Sequence, residues 1–381
     1  MLYERNRQTE LLIDLNAMEH NYQEIQKKVP NKRILPVLKA SGYGIGVKTV
    51  KAFIDKMNLN MIATALVDEG VVLRAGLEYT GEIIVLNQPA KEDIPNIIQN
   101  AITTGVCYIE FVEELNKEAE KQGCIAKVHV EIETGMGRTG VQLEKLQNFI
   151  AKVKKLNHIK VEGIYSHFAT SDTDIKFAQE QIAIFQEAVK QITEQIDTIA
   201  YVHIGNSGGI LQLPNLPGNM VRPGILLYGY LPDENLKGEI DLRPCCVLKS
   251  RISFLKEVEL GTSISYGRTY VTNKKTRVAN VPIGYADGIR RSLSNKGHVV
   301  INGQLAPIIG TVCMDSFMID VTNIENVKIG NEVFIWDNKN ITVEDIAKEC
   351  GTINYEILST ISNRVIRVSV LGTGSKRDTF A

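Results

Sequence analysis

The sequence predicts an α/β protein in which a (β/α)8 barrel is followed by a mainly β domain. From about residue 11 to residue 230, short apolar runs of strand type alternate with amphipathic helical patterns. After about residue 243, apolar runs separated by turn residues dominate, with one helical pattern at 343–350. We therefore expect a barrel domain over 1–243 and a β domain over 244–381. An open doubly wound sheet is the alternative for the first part.

Eight apolar runs supply the predicted barrel strands, namely 34–39, 61–66, 82–87, 106–110, 126–132, 160–168, 200–205 and 224–229. Helical patterns lie between them, and several end on a glycine, as a helix C-cap does: 67–76, 111–123, 143–156 and 177–192. The β domain combines the opening strand with later runs at 247–259, 277–284, 298–312, 317–322 and 331–337. Near the end, TISNRVIRVSV (360–370) is predicted as a strand in which Ile361, Asn363 and Val365 share one face.

Composition and charge narrow the class of protein. A chain of 381 residues with 44% hydrophobic and 23% charged residues is typical of a globular protein with two domains. A formal net charge of -1 gives no electrostatic reason to expect nucleic acid or a membrane surface as partner. The six cysteines show no C-x-x-C spacing, and no apolar run has the length of a membrane span. We expect a cytoplasmic chain, either free or as the cytosolic domain of a membrane-anchored protein.

The first predicted barrel strand ends on a lysine. Lys39 follows an apolar run and precedes the glycine-rich loop ASGYGIG, which is able to turn sharply beside a ligand. One interpretation is a lysine whose stem reaches solvent. The other is a desolvated amine with a lowered pKa, suited to forming a Schiff base.

Three later strands place further polar groups on the same rim. His167 lies in YSHFATSD, Ser207 in HIGNSGG, and Arg222 in MVRPG. Ser207 could be an ordinary helix N-cap or part of a phosphate cradle, and Arg222 could form a surface salt bridge or point inward as a fixed donor. Phosphate groups often bind after strands seven and eight of such barrels, near Ser207 and Gly224. A lysine, a histidine, an arginine and a phosphate cradle around one cavity suggest pyridoxal phosphate.

The motifs resemble those of the alanine racemase family, which are fold-type III pyridoxal-phosphate enzymes, over essentially the whole chain. The matching stretches, in chain order, are VLKASGYGIG, ETGMGRTGV, YSHFATSD, NSGG, VRPGILLYG, SISYGRTY, IGYADG, GTVCMD and TINYEILSTISNRV. The resemblance implies a homodimer in which the β domain of each subunit completes the active site of its partner. It also implies pyridoxal 5'-phosphate as cofactor and no metal site.

The resemblance further implies two catalytic bases. Lys39 looks like the lysine that holds the cofactor and serves as one base, and Tyr266 of the partner subunit looks like the other. Racemisation needs such a pair because a proton leaves one face of a planar carbanion and returns to the opposite face. By similarity, His167 contacts the tyrosine, and Arg222 contacts both His167 and the pyridine nitrogen.

Other positions match binding residues of the family. Tyr43, Ser207, Gly224 and Ile225 match phosphate-binding positions. Arg138 and Met314 match positions that receive the substrate carboxylate. Tyr285, Arg291 and Asp315 are further candidates, either for lining the substrate channel or for supporting the residues of the site.

Two positions depart from the family pattern. Glu131 stands where many members have a lysine, often carbamylated, and we expect its carboxylate to serve Arg138 without modification, either in direct contact or through a water or an anion. Asn363 stands where a tyrosine typically bounds the substrate pocket, and its amide could bind the hydroxyl of serine. The same asparagine marks the membrane-bound serine/alanine racemases of vancomycin-resistance clusters, whose soluble C-terminal domain this chain is similar to.

The departure at Asn363 leads to a main expectation and an alternative. The first is a serine racemase with alanine activity that supplies D-serine for modified peptidoglycan precursors in vancomycin resistance. The alternative is an ordinary alanine racemase that supplies D-alanine for cell-wall synthesis. A fold-type III decarboxylase and a non-catalytic pyridoxal-phosphate carrier are more distant possibilities, against which the SISYGRTY tyrosine and the β domain argue.

Overall fold

The computed structural model describes residues 7–370, and they form two compact units. A barrel unit contains residues 18–42 and 50–243, and a β unit contains residues 7–17, 43–49 and 244–370. These units differ from the continuous ranges 1–243 and 244–381 in two segments, because the opening strand and residues 43–49 group with the β unit. The two-range division stays a prediction about domains.

The strands, in chain order, are β1 Glu10–Asp14, β2 Arg33–Ile34, β3 Met61–Thr64, β4 Glu82–Val85, β5 Thr103–Val106, β6 Ala126–Glu131, β7 Ile159–Tyr165, β8 Tyr201–His203, β9 Met220–Val221, β10 Cys246–Arg251, β11 Phe254–Val258, β12 Ser263–Ile264, β13 Tyr270–Val271, β14 Thr276–Val281, β15 His298–Ile301, β16 Gln304–Ile309, β17 Phe317–Asp320, β18 Glu332–Trp336 and β19 Ile366–Val370.

The α-helices are α1 Leu15–Lys28, α2 Val47–Met57, α3 Val67–Val71, α4 Ile94–Gln99, α5 Ile109–Lys121, α6 Leu143–Val153, α7 Ile175–Thr193, α8 Ser207–Gln212, α9 Val343–Cys350 and α10 Asn354–Ser359. A π-helical turn, Val72–Gly76, continues α3. Short 3-10 turns lie at Lys91–Asp93, Ile225–Tyr228, Glu234–Leu236, Tyr266–Arg268, Tyr285–Asp287 and Arg291–Leu293. Among residues 7–370, no helix is both long enough and apolar enough to cross a membrane.

The barrel unit is one parallel sheet of eight strands in the order β2-β9-β8-β7-β6-β5-β4-β3. A parallel bridge between Val37 and Ala63 joins its two ends, and the amide of Leu38 donates to the carbonyl of Ala63 at 2.8 Å. This closure confirms the predicted (β/α)8 barrel and excludes the open doubly wound alternative. Because all eight strands are parallel, their carboxyl ends meet on one rim.

Three barrel strands differ most from their predicted ranges. The eighth strand is Met220–Val221, and the predicted run 224–229 instead forms the 3-10 turn Ile225–Tyr228. Pro223 and Gly224 end the strand, and a short, fully buried apolar run does not by itself distinguish strand from helix. The fourth strand is Thr103–Val106, so only its last residue falls within the predicted run 106–110, and the first strand is interrupted at Pro36.

The β unit contains a sheet of nine strands in the order β11-β14-β17-β16-β15-β18-β10-β1-β19. As expected, the opening strand β1 belongs to this sheet, between β10 and β19. A separate two-stranded hairpin, β12 with β13, carries the turn that contains Tyr266. Ile264 of this hairpin packs against Val278 and Ile309, which anchors the hairpin to the sheet.

The prediction of a strand over 360–370 is wrong in its first half. The strand is Ile366–Val370, and Asn363 lies exposed in the turn that precedes it. Ile361 and Val365 are both buried, as the alternating pattern predicted, but the residues between them form a turn and not a strand. Asn363 therefore does not interrupt a buried strand face.

Candidate active site

The candidate lysine is followed by a strained turn at the end of the first barrel strand. Ala40, Ser41, Gly42 and Tyr43 have φ values of 53°, 52°, 66° and 54°, all in the left-handed region. For residues other than glycine this conformation costs about 1–2 kcal/mol each. Such strain is found mainly at functional sites, where the surrounding structure enforces it.

A carboxylate that the sequence analysis missed holds this turn. Glu69 accepts the backbone amide of Ala40 on Oε1 at 2.5 Å. Its other oxygen, Oε2, accepts the amides of Ala65 and Leu66 at 2.9 and 3.1 Å. Glu69 thus joins the residue after Lys39 to the start of α3. A glutamate three residues into a helix is the available sequence signal, although no Ser or Thr precedes it to complete the usual capping box.

Lys39 lies in an environment that favours its neutral amine. Burial lowers the pKa of Lys39, and the positive charges of Arg138 and Arg222 lower it further, while Glu69 opposes them. A neutral amine is the form that acts as a nucleophile or a base. The structure therefore favours the functional interpretation of Lys39 over a stem that merely reaches solvent.

Arg222 is an inward-pointing, buried cation, not a surface ion pair. Its side chain is embedded after β9, and the residue is only 3% exposed. Nη1 donates to Nδ1 and the carbonyl of His203 at 2.8 and 2.9 Å. Nη2 donates to the carbonyl of Ser166 at 2.6 Å and contacts Nδ1 of His167 at 3.3 Å. Within residues 7–370, Nε of Arg222 has no acceptor, so one donor remains for a ligand.

The charges around Arg222 follow from its burial. Burial lowers the pKa of Arg222 to about 10, which still leaves the guanidinium protonated at neutral pH. Burial also lowers the pKa of His167 well below its usual range, and Arg222, Arg138 and Lys39 act in the same direction. His167 is therefore neutral and able to accept a hydrogen bond.

Ser207 is not a simple helix N-cap. Asn206 occupies that position, and its Oδ1 accepts the amide of Gly209 at 3.0 Å. The hydroxyl of Ser207 instead accepts the amide of Gly224 at 3.1 Å, which joins the loops after β8 and β9. Ile225 opens the following 3-10 turn, and the first amides of such a turn have no acceptor within it. These loops bring together three of the four predicted phosphate-binding residues.

Arg138 and Glu131 do not form a direct ion pair. Arg138 is exposed in the loop after β6, whereas Glu131 is buried at the end of that strand. The described residues contain no ion pair between them, and Oε2 of Glu131 has no hydrogen-bond partner there. Burial raises the pKa of Glu131, while Thr139 and the charge of Arg138 lower it. Their interaction is thus electrostatic and at longer range than a contact.

The remaining candidates belong to the β unit. Tyr266 is 72% exposed on the turn of the β12–β13 hairpin, where its carbonyl accepts the hydroxyl of Thr311 at 2.8 Å. Met314 is 52% exposed. Tyr43 is buried and packs against the ring of Tyr355, with 6.0 Å between ring centroids.

Two turns that carry candidate residues of the β unit are tied together. The amides of Tyr285 and Ala286 donate to the carbonyls of Cys313 and Met314, both at 3.0 Å. Gly284 permits this approach, because a Cβ there would lie 2.3 Å from the carbonyl oxygen of Cys313. The backbone of Met314 is therefore held in place although its side chain is exposed.

Arg364, the neighbour of Asn363, holds the turn before β19 in place through ion pairs. Its Nη2 donates to Asp315 at 2.6 Å, and its Nε lies 3.2 Å from the fully buried Asp287. Arg7 makes a further ion pair with Asp287 at 2.7 Å. These ion pairs link the turn of Asn363 to Asp315, which the sequence analysis had named, and to Asp287, which it had not.

The chain matches two family models in succession. Residues 13–232 match the alanine racemase N-terminal domain, and residues 245–369 match the alanine racemase C-terminal domain. The chain belongs to the alanine racemase family.

Relatives and solved structures agree with this assignment. The chain is 38% identical over 375 residues to alanine racemase 2 of Caldanaerobacter subterraneus subsp. tengcongensis, covering 97% of this chain and 96% of that protein. The alanine racemase of Clostridium difficile 630 has the same fold, with a TM-score of 0.93, 35% identity and 99% of each chain covered. The alanine racemase of Bartonella henselae, solved with covalently bound pyridoxal phosphate, aligns with a TM-score of 0.86 and 25% identity, covering 96% of this chain and 100% of that one.

The cofactor of this alanine racemase family member is pyridoxal 5'-phosphate, and the barrel unit has groups that suit it. Lys39 offers an amine whose pKa is lowered. Arg222 offers an Nε donor without a protein acceptor, matched to the lone pair of a ring nitrogen. Ser207 and the start of the 3-10 turn at Ile225 offer a hydroxyl and amides suited to a phosphate.

Proposed function

We propose that this amino-acid racemase interconverts L- and D-alanine by a two-base mechanism. Lys39 carries the cofactor and exchanges a proton with one face of the substrate α-carbon. Tyr266 of the partner subunit exchanges a proton with the opposite face. The observation that carries the proposal is the lowered pKa of Lys39, to which the charge of Arg222 contributes, together with an Nε of Arg222 that has no acceptor among the described residues. When bound, pyridoxal phosphate supplies the electron sink that makes the α-proton acidic.

The roles of the other residues follow from their chemistry. Arg222 stays charged at neutral pH and is fixed by its hydrogen bonds, so it would present a donor that hardly gives up its proton. Such a donor leaves the pyridine nitrogen unprotonated and limits side reactions such as transamination. Arg138 and the backbone amide of Met314 of the partner subunit would bind the substrate carboxylate. Tyr43, Ser207, Gly224 and Ile225 would bind the cofactor phosphate.

The exposure of Tyr266 supports a site shared between two subunits. A tyrosine that is 72% exposed on an anchored hairpin is available to another copy of the chain. We therefore propose a homodimer in which each β domain completes the partner's active site.

Alanine is favoured over serine as the substrate. The relatives reported above are named alanine racemases, and none of those names refers to serine or to vancomycin resistance. Serine racemisation remains a second candidate because of one residue. Asn363 is exposed at the turn before β19, and its amide is able both to donate and to accept a hydrogen bond.

Substrate comparison for one variant separates the two candidates. The ratio of kcat/KM for L-serine to kcat/KM for L-alanine is measured for the native chain and for Asn363→Tyr. If Asn363 merely lies at the pocket edge, the native ratio is well below one and changes little. If Asn363 recognises the serine hydroxyl, the ratio falls by about tenfold or more in the variant, because the group that binds the hydroxyl has been removed.

The assay also tests the reaction type. Both enantiomers of each amino acid are supplied, and carbon dioxide release is followed in parallel. Racemisation without carbon dioxide supports the proposal. Decarboxylation, or cofactor binding without turnover of any amino acid, would contradict it. Thr352→Ala, a change at a half-buried position two residues before α10, serves as a control for general effects of substitution near this turn.

A further inference from the structure

Two histidines that the proposed reaction does not use lie inside the barrel behind Arg222. His203, the last residue of β8, and His129, in β6, are both completely buried. Nδ1 of His129 lies 2.9 Å from Nε2 of His203. Nδ1 of His203 in turn lies 2.8 Å from Nη1 of Arg222. The three side chains form one continuous row of hydrogen bonds.

The strand between the two histidines leaves space for this contact. β7 separates β6 from β8, and Gly163 of β7 is paired with His129 on one side and Tyr201 on the other. A Cβ on Gly163 would lie 2.5 Å from Nδ1 of His129. A glycine inside a strand commonly marks such a close approach. The ring of His203 is also fixed, since it stacks on Tyr165 at 5.2 Å with an interplanar angle of 7°.

The guanidinium determines where the protons of both rings lie. Arg222 only donates, so Nδ1 of His203 must carry a lone pair and Nε2 must carry the proton. Nε2–H then donates to Nδ1 of His129, whose own proton lies on Nε2. In the reverse arrangement, an N–H of His203 would face the N–H of Arg222. In the described part of the chain, Nε2 of His129 has no acceptor, so the row ends there.

We propose that His129 is a positioning residue, which stabilises the tautomer of His203 that accepts from Arg222 and thereby helps to hold Arg222 toward the cofactor site. His129 touches neither the reacting atoms nor the rim. It supplies the only protein acceptor for Nε2–H of His203 among the described residues. Without that acceptor, the tautomer of His203 that accepts from Arg222 loses a buried hydrogen bond. The inference rests on the proposed function only for its effect on catalysis.

Both rings stay neutral at working pH. Burial lowers the pKa of His129 to about 3, with Glu162 opposing and Arg222 and Lys127 reinforcing the shift. Burial lowers the pKa of His203 well below its usual range, and the charge of Arg222 acts in the same direction. A second positive charge beside Arg222 is therefore avoided, and the row has a single proton arrangement.

The tautomers are directly measurable in the full-length enzyme. The chain has six histidines, so selective ¹⁵N labelling of histidine gives few enough ring signals to assign. In the native protein at neutral pH, we expect both His129 and His203 to be neutral and protonated on Nε2. A native His203 protonated on Nδ1, or on both nitrogens, would overturn the proposal without any variant.

Two substitutions at one position test the consequence. His129→Leu removes the acceptor, and we expect the Nε2–H tautomer of His203 to lose its dominance and kcat to fall about tenfold with little change in KM, as supporting hydrogen bonds typically show. His129→Asn keeps an oxygen near the position of Nδ1, and we expect it to restore the His203 signal and most of kcat. Unchanged His203 signals in His129→Leu, or equal losses in both variants, would contradict the positioning role.

A matched control uses another histidine of the barrel unit. His158 contacts the carbonyl of Cys124 at 3.0 Å and has no hydrogen bond to Arg222 or His203. His158→Leu should leave the ring signals of His203 unchanged. The NMR readout does not depend on turnover, so correct tautomers in an enzyme that fails to racemise alanine would refute the proposed function while leaving the arrangement of the row intact.

Discussion

At the scale of single residues, buried polar groups determine which side chains are able to act. Arg222 was identified from VRPG because it follows a predicted strand, and the structure places it inward with a free Nε donor. Its partners His203 and His129 were missed. Their contact depends on two strands separated by a third, and on the absence of a side chain at Gly163. No local pattern reports such a tertiary contact.

Asn363 shows how a local pattern is misread. Buried Ile361 and Val365 on either side of an exposed residue imitate the period of a strand, but the backbone forms a turn there. An alternation of buried and exposed residues alone does not exclude a turn whose two ends are buried. The substrate role of Asn363 stays a prediction, now argued from an exposed amide at a turn.

The buried histidines predict a specific loss of stability in acid. Because the folded pKa of His129 is depressed to about 3, the unfolded chain binds a proton below about pH 6.5 that the folded chain does not. Stability therefore decreases as pH falls from 6.5 toward 3, by up to about 1.4 kcal/mol per pH unit from this group. The free energy of unfolding of His129→Leu should fall less steeply over this range than that of the native chain. Equal slopes would show that His129 is not buried in its neutral form.

At the scale of elements, the loops that follow the barrel strands position the residues of the candidate site. The alternation of strands and helices predicted the barrel well, because eight crossovers leave a strong periodic signal in the sequence. The run GILLYG was misassigned because all four residues Ile225–Tyr228 are buried, which suits a strand and a helical turn equally. The left-handed turn after Lys39 was foreseen only as a loop, since Ala40 and Ser41 do not favour positive φ.

The clamp formed by Glu69 predicts a coupled effect on folding and on Lys39. In Glu69→Gln, one oxygen becomes an amide donor facing backbone N–H groups, so the free energy of unfolding should fall by about 1–3 kcal/mol. The pKa of Lys39 should fall further, because the negative charge of Glu69 raises it. Chemical denaturation and the pH dependence of Lys39 acylation measure the two effects.

A neighbouring residue provides the control for this variant. Asp68 lies on the same helix, and it is exposed. Asp68→Asn should change neither the stability by more than about 0.5 kcal/mol nor the reactivity of Lys39. Similar effects in the two variants would mean that loss of negative charge at the helix start, and not the clamp, is responsible.

At the scale of the whole molecule, the chain divides its candidate groups between two compact units. Lys39, His167, Ser207 and Arg222 belong to the barrel unit, while Tyr43, Tyr266, Met314 and Asn363 belong to the β unit. The opening strand joins the β unit through pairing with strands more than 230 residues away in sequence. The sequence predicted that the opening strand belongs with the β domain but not the grouping of residues 43–49, which no apolar pattern indicates.

The central claim is that one active site takes Lys39 from one subunit and Tyr266 from the other. Mixing two inactive variants tests it most directly. Lys39→Ala and Tyr266→Phe are unfolded together, refolded as a mixture, and assayed for alanine racemisation, with each variant refolded alone as control. Random pairing makes about half of the dimers mixed, and each mixed dimer has one site with both bases intact, so about a quarter of native activity should return. If both bases came from the same subunit, no mixed dimer would have an intact site, and a mixture as inactive as its two components would contradict the account.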